Sequence, residues 1–370
     1  MDVVLMIIYA LLMLSFLVVI HEGGHYLASR AFGVRVTEFM VGMPGPNIGV
    51  TIGGTKFGIT PILLGGYAKV CGMEADPISP HTKAVLASLY RRGTANMEDV
   101  ARDCGITDDE AYDVLEALTE WGSVVGPLKA DKYNTYRTPA CKPTRRQRRD
   151  ARKQGLPAPP SFAQGQPREV PDEQALYDSE FRQQYCSLPF WKRSVILVAG
   201  PLVNLIFTVL VFVLIYSVIG FDVTYTSTGE TVHMTVGPLT SIQVGFAYLG
   251  MVVEAVASLF NPATAAETIS NSTSIVGVAA MSVEVVEAGA TSVLLYMAMI
   301  SASLGVMNLL PIPPLDGGRF VVEVYQKIRR RGVRTETLNK ISMAGMALFM
   351  VLFVVLVGQD IDRFVLGNWD

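Results

Sequence analysis

The longest apolar run opens the chain. Val3 to Ile20 contains no charged residue and no proline, and about 18 such residues suffice for a membrane-spanning helix. Continued helically to about residue 31, this is the first predicted span. Three more runs read the same way, at about 194–219, 292–310 and 343–357. The stretch 221–290 between the second and third is predicted as an outer interfacial segment. There Phe221–Ser241 is short and β-prone, and Gly245–Phe260 is apolar except for Glu254. The latter is too short and interrupted for a span and predicts an amphipathic helix lying at the interface. A different pattern runs from Val34 to about Lys69, rich in Gly, Val, Ile and Thr. Gly53-Gly54 sits there between two β-prone stretches and predicts a hairpin turn. The expected fold is a mainly α membrane protein with about four transmembrane helices, a small membrane-associated β hairpin or sheet, and a soluble insertion.

The first unit spans residues 1–74, and the insertion occupies 75–140. Thr82–Arg92, Met97–Cys104 and Thr107–Trp121 show helical periodicity, with Gly93 and Gly105 at the breaks and a capping-box pair at Thr107 and Glu110. Ser123–Thr138 is β-prone around a turn. Three short helices and a hairpin predict a winged-helix-like α+β module. Nucleic acid is disfavoured as its partner, because the would-be recognition helix carries Asp108, Asp109, Glu110, Asp113 and Glu116, and carboxylates repel phosphates. A protein partner or regulator at residues 80–140, or a plain spacer, is expected instead. Residues 141–171 form a linker. A basic run (Arg145, Arg146, Arg148, Arg149, Arg152, Lys153) precedes Pro157, Pro159, Pro160, Pro167 and Pro171, which predicts a disordered tether. Its cations either bind anionic lipid or simply fix topology. Asp172–Tyr185 predicts an amphipathic helix leading into the remaining membrane domain, 172–370.

Charge placement orients the spans. Half of the 370 residues are apolar and the net charge is −3. Of the 30 Lys and Arg, 22 fall between Arg30 and Arg193, none between Ser194 and Gly318, and eight from Arg319 onward. The positive-inside rule then puts residues 30–193 and 319–340 in the cytoplasm and about 220–290 outside. Both termini are expected outside. Asp222, Glu230, Glu254, Glu267, Glu284 and Glu287 lie in the outer stretch, which holds no Lys or Arg. Cys71, Cys104, Cys141 and Cys186 fall on the cytoplasmic side, at spacings that match no metal or redox pattern. The first apolar run lacks a basic leader and a small-residue cleavage site, so it is not expected to be a removable signal peptide.

The chemistry sits at two ends of the sequence. His21-Glu22-Gly23-Gly24-His25 closes the first run. On a helix, positions i and i+4 share a face, so His21 and His25 can share one Zn2+ and Glu22 can reach a water beside it. Chance matches to this pattern occur in soluble helices, but ionisable clusters on membrane helices are expensive and mark function. The second stretch is Asn308-Leu309-Leu310-Pro311-Ile312-Pro313-Pro314-Leu315-Asp316-Gly317-Gly318. Its prolines force an irregular backbone, tolerated at membrane depth only inside protein or beside a wet cavity. Asp316 falls on the same side of the membrane as the histidines. Two imidazoles and a carboxylate make a common catalytic zinc set; alone, Asp316 would read as a turn former before Gly-Gly. Asn204, in the second run, is read as a hydrogen-bonding packing residue and is not assigned to the metal.

These two motifs, with Gly65–Val70 and Ala199–Asn204, resemble the site-2 protease family of intramembrane zinc metalloproteases. The resemblance implies His21, His25 and Asp316 as zinc ligands and Glu22 as catalytic base, with Asn308, Pro311 and Pro313 positioning an unwound substrate. It also implies single-span membrane proteins as substrates, cleaved in or near the lipid bilayer of a bacterial cytoplasmic membrane. A membrane-tethered anti-sigma factor or a signal-peptide remnant would be such a substrate. One departure stands out. Many bacterial members carry an outer PDZ domain between the second and third core helices, and residues 220–290 leave no room for one. The enlarged cytoplasmic loop suggests control from residues 80–140 instead. The alternatives are a non-catalytic membrane receptor or scaffold signalling through that module, and a DNA-tethering membrane regulator. An intact Glu22 argues against the first, and the acidic helix against the second.

Overall fold

The computed structural model describes residues 3–366, apart from 64, 74–77, 129–130, 132–133, 142, 144, 154, 156, 158–159, 225, 227–228, 331–332 and 334. The expected boundary between residues 74 and 75 lies outside the described residues, as do Lys142 and Pro159 of the predicted linker.

Helix α1 (Val3–Ala31) runs unbroken through the His-Glu-Gly-Gly-His stretch. It leads into β1 (Val36–Val41), β2 (Ile48–Ile52), β3 (Thr55–Ile59) and β4 (Gly66–Val70). The hairpin at Gly53-Gly54 is present, with β2 and β3 antiparallel and both glycines at positive φ, 60° and 88°. That backbone is strained for residues with a Cβ. The hairpin is half of a larger sheet, because β1 pairs parallel with β3 and antiparallel with β4, giving the order β2-β3-β1-β4. β4 is therefore an edge strand.

The insertion contains α2 (Thr82–Arg92), β5 (Thr94–Asn96), α3 (Met97–Cys104), α4 (Asp108–Glu120) and β6 (Thr135–Arg137). Thr107 and Glu110 form the expected capping box on α4. β5 pairs antiparallel with β6, and Val125 bridges Arg137. Helix α5 (Arg145–Lys153) replaces part of the predicted irregular linker. Local propensity permits it: the run holds no Gly, Pro or β-branched residue, and Arg, Gln, Ala and Lys favour helix. Helix α6 (Glu173–Phe181) packs Tyr177 and Phe181 onto a buried core that includes Leu86, Leu115, Leu118, Trp121 and Tyr136. Burying each such side chain contributes about 1.5–3 kcal/mol, so the insertion has a core of its own.

Helix α7 (Phe190–Val213) continues as a wider helical turn to Ile219. The hairpin β7 (Phe221–Thr224) and β8 (Thr231–Met234) follows, then α8 (Pro238–Ser258), α9 (Ala265–Asn271), α10 (Ile275–Glu287), α11 (Ala290–Asn308), α12 (Asp316–Arg329) and α13 (Thr335–Asp360). By length and composition, five helices among the described residues could cross a membrane: α1, α7 with its extension, α8, α11 and α13. The fifth is α8, where the sequence pattern predicted a shorter interfacial helix. Pro238 starts it two turns earlier, and a first-turn proline is well suited to begin a helix. With a mostly helical fold and several such helices, the chain is a multi-pass membrane protein.

α1, α7 and α11 form the centre of the membrane part. Leu17 and Met13 pack on Met297, and Phe212 and Val211 on Ala298. Ser301 Oγ donates to the Asn204 carbonyl at 3.1 Å, and Thr208 Oγ1 to the Ala298 carbonyl at 3.0 Å. The small residues of α11 permit that approach.

Two polar clusters brace the insertion and the segment that follows it against the membrane helices. Arg35, four residues past the end of α1, pairs with Glu180 at 2.9 Å and donates to the Gly122 carbonyl at 2.8 Å and to Gln183 Oε1 at 3.0 Å. On the other side, Glu323 of α12 accepts from Tyr185 Oη at 3.2 Å and pairs with Arg193 of α7 at 3.1 Å. Burial raises the Glu323 carboxyl above its usual range, and Arg193 opposes that rise.

Candidate active site

The continuous helix α1 sets His21 and His25 one turn apart, both buried, with ring centroids 5.1 Å from each other. The proline stretch breaks α11 after Asn308, and the chain resumes as α12 at Asp316. The carboxylate thus opens a helix, where backbone N–H groups favour negative charge. Asp316 Oδ2 lies 3.2 Å from His21 Nε2 and 3.2 Å from His25 Nε2. One ligand atom from each of the three lies within 4.8 Å of the others.

This donor set fits zinc. Tetrahedral bonds of about 2.0–2.1 Å hold neighbouring donors about 3.3 Å apart, close to the observed spacing. Proton placement points the same way. His25 Nδ1 is 2.8 Å from the Ile196 carbonyl. A carbonyl only accepts, so Nδ1 carries a proton, and in the neutral ring Nε2 keeps its lone pair toward Asp316. A lone pair facing a buried carboxylate oxygen repels it unless a cation lies between them. His21 Nδ1 lies 3.2 Å from the side-chain amide of Asn204, whose Oδ1 has no partner. The amide's two ends exchange on a half-turn. With Oδ1 toward the ring it accepts from Nδ1–H, and His21 Nε2 is likewise left free to coordinate.

Glu22 lies beside this set. Its Oε2 accepts from the Ala68 N–H of edge strand β4 at 2.9 Å, which holds the carboxylate between α1 and the sheet. Gly66, also on β4, is close to Val18 and Glu22. The sheet thus lies next to the histidine-bearing turn of α1.

Two glycines permit the convergence. A Cβ on Gly24 would come within 2.8 Å of the Ala199 carbonyl carbon. One on Gly200 would come within 2.6 Å of His25 Cδ2 and 2.9 Å of Cε1. α1 and α7 therefore touch backbone to backbone beside the rings.

Of the sequence-predicted residues, His21, Glu22, His25 and Asp316 are brought together. Asn308 is not turned to them: its Nδ2 donates to the Leu304 carbonyl of its own helix at 3.0 Å. Pro311 and Pro313 shape the break, and the Pro313 carbonyl lies against Gly345 of α13. Sequence reasoning missed the contact of Asn204 with His21, although an Asn in an apolar run was a visible signal. The Ile196 carbonyl and the Ala68 N–H are main-chain groups that no sequence pattern marks.

The model of peptidase family M50 matches residues 9–352. A protein of Clostridium perfringens named as a candidate zinc metalloprotease is 25% identical over 383 residues, covering 96% of this chain and 98% of its own. One of the same description from Streptococcus pyogenes serotype M6 is 24% identical over 448 residues, covering 96% and 99%. Enterococcus faecalis "Probable protease eep" is 40% identical over 84 residues, 23% of this chain and 20% of its own. With the motif pair joined in space and the match running nearly end to end, the chain belongs to peptidase family M50, the site-2 proteases, and is a membrane zinc metalloprotease.

Proposed function

We propose that His21, His25 and Asp316 hold the zinc, that Glu22 is the general base, and that the substrates are single-span membrane proteins cut in or near their transmembrane segments. One observation carries the assignment: two imidazole Nε2 atoms lie 3.2 Å from the same Asp316 oxygen. When bound, zinc supplies a Lewis acid that polarises a peptide carbonyl and makes water acidic enough to attack near neutral pH. Glu22 takes the water proton and returns it to the leaving amine. To do so it exchanges its bond from Ala68 N–H for the water. That exchange leaves a main-chain donor on the free edge of β4, where an unwound substrate can add as a strand. Asn308, Pro311 and Pro313 would position that strand, Asn308 after leaving the Leu304 carbonyl. A Glu22→Gln variant is expected to keep its zinc and lose cleavage of a reconstituted single-span substrate. Retained cleavage would remove Glu22 from the mechanism, and lost zinc would remove the ligand assignment.

For topology, the reading is four crossings in a bacterial cytoplasmic membrane, with both termini outside and the site toward the cytoplasm. α8 is read as lying on the outer side. Met6 is fifteen residues before His21, about 22 Å along a helix, and Asp360 is as far beyond Gly345. Ser282 of α10 donates to the Met6 carbonyl, and Ser274 caps α10 beside Asp360. α8 is tied at its start by Ser241 to Ser217, and at its end by Ser258 to Thr268, close to the Gln359–Ser270 bond. Both its ends thus associate with the same level of the bundle. The lack of Lys and Arg from 194 to 318 supports the same side.

The element order α2-β5-α3-α4, the Val125 bridge and β6 supports reading the insertion as a winged-helix module. Asp108, Asp109, Glu110 and Asp113 are exposed on α4, which disfavours nucleic acid and favours a protein regulator. Its signal has a route to the site through Arg35, which joins the Gly122 carbonyl of the insertion to the end of α1.

A further inference from the structure

Helix α5 sits on an excursion whose base is fixed. Cys141 and Phe162 exchange two main-chain hydrogen bonds of 2.9 Å. Arg168 braces that base, with its guanidinium 5.0 Å from the Tyr90 ring and 4.8 Å from the Phe162 ring, while donating to the Pro139 carbonyl. The nine residues of α5 include Arg145, Arg146, Arg148, Arg149, Arg152 and Lys153 against a single acid, Asp150. Helical spacing puts like charges at i and i+4 in the pairs Arg145/Arg149, Arg148/Arg152 and Arg149/Lys153, against one opposite pair, Arg146/Asp150, so the net effect of the charges is to destabilise the helix. Nine residues are also too few for a helix to sustain itself in water. Among the described residues, Arg148, Arg149, Arg152 and Lys153 are exposed and make no ion pair. The exposed carboxylates of α4 make none with them either. Among the described residues, no carboxylate supplies a countercharge to these four cations.

One polyanionic surface is always adjacent. The insertion joins α1 through Arg35 and rejoins the membrane part at Phe190. There Trp191 is 56% exposed, with Lys192 5.5 Å over its ring. Such an aromatic and basic pair marks the membrane–water boundary, so the insertion is attached within a few residues of the lipid headgroups. We propose that α5 docks on the anionic phospholipid headgroups of the membrane that holds the chain, and so fixes the insertion against the bilayer surface. This inference does not depend on the zinc assignment.

The test uses the full-length protein in nanodiscs of phosphatidylcholine alone or with about one third phosphatidylglycerol, read by amide hydrogen exchange. Residues 145–153 are expected to exchange about tenfold more slowly in the anionic discs. About 0.5 M NaCl should reverse the protection, since it shortens the reach of exposed charges to a few ångströms. R148Q/R149Q/R152Q/K153Q should remove the protection while Leu86 and Leu115 in the module core keep theirs. Equal exchange in the two bilayers overturns the proposal and leaves the cations as topological charge or partners of α4. Protection that follows an added duplex oligonucleotide and not the lipid overturns it in favour of nucleic acid.

Discussion

Gly200→Ala tests whether the close approach of α1 and α7 sets the metal geometry. Nine in ten real Cβ contacts are looser than 3.4 Å, and the new methyl would meet His25 Cδ2 at 2.6 Å and Cε1 at 2.9 Å, with Nε2 closer still. Relieving the first contact requires a shift of about 0.8 Å (3.4 − 2.6), well beyond the roughly ±0.2 Å that zinc–ligand bonds tolerate. His25 cannot yield along its own axis, because Nδ1 is held by the Ile196 carbonyl at 2.8 Å. Disturbing only an outer partner of a zinc ligand typically weakens binding about 10–100-fold. Displacing His25, a proposed ligand, should cost at least that much. Zinc affinity would be measured by chelator competition on purified protein, with helicity checked in parallel. Gly23→Ala is the control, since nothing lies within 4 Å of its Cβ position. The reasoning is refuted if Gly200→Ala binds zinc as tightly as Gly23→Ala while both remain folded.

Further outcomes follow from other contacts. Asn204→Ala should lower zinc affinity by about 10–100-fold through loss of His21 orientation, and Asn204→Asp, which restores an acceptor, should recover part of it; unchanged affinity would return Asn204 to a packing role. A cysteine in place of exposed Ala263, in the turn between α8 and α9, should react with an impermeant maleimide from outside intact cells; reaction only after permeabilisation would make α8 a crossing helix. The β7–β8 hairpin should depend on pH. His233 Nδ1 and Nε2 face two acceptors, Asp222 Oδ1 at 2.7 Å and the Ile219 carbonyl at 3.1 Å, and Asp222 first, then that carbonyl, raise the imidazole above its usual value. A raised cation contributes stability that is whole below the unfolded value of about 6.5 and is lost as pH climbs through the folded value. Exchange protection of residues 221–224 and 231–234 should therefore fall on the alkaline side in wild type and stay flat in His233→Gln.

The sequence by itself marked the apolar runs of α1, α7, α11 and α13, the hairpin at Gly53-Gly54, the helices of the insertion and the four residues that the fold brings together at the candidate site. Each is written in a local pattern: apolar run length, a Gly-Gly turn, a capping box at Thr107, imidazoles at i and i+4. Linear pattern missed α8's full length because a proline start and one tolerated Glu254 read as interruption. It missed α5 because high charge resembles disorder until helix propensity is weighed. Only the tertiary structure decided that β3 lies parallel to β1, that Ala68 N–H holds Glu22, and that Ile196 and Asn204 orient the two rings. Those decisions rest on main-chain groups and on approaches such as Gly200 to His25, between residues far apart in the chain. Contacts of that kind depend on how whole helices pack, and no window of neighbouring residues carries them.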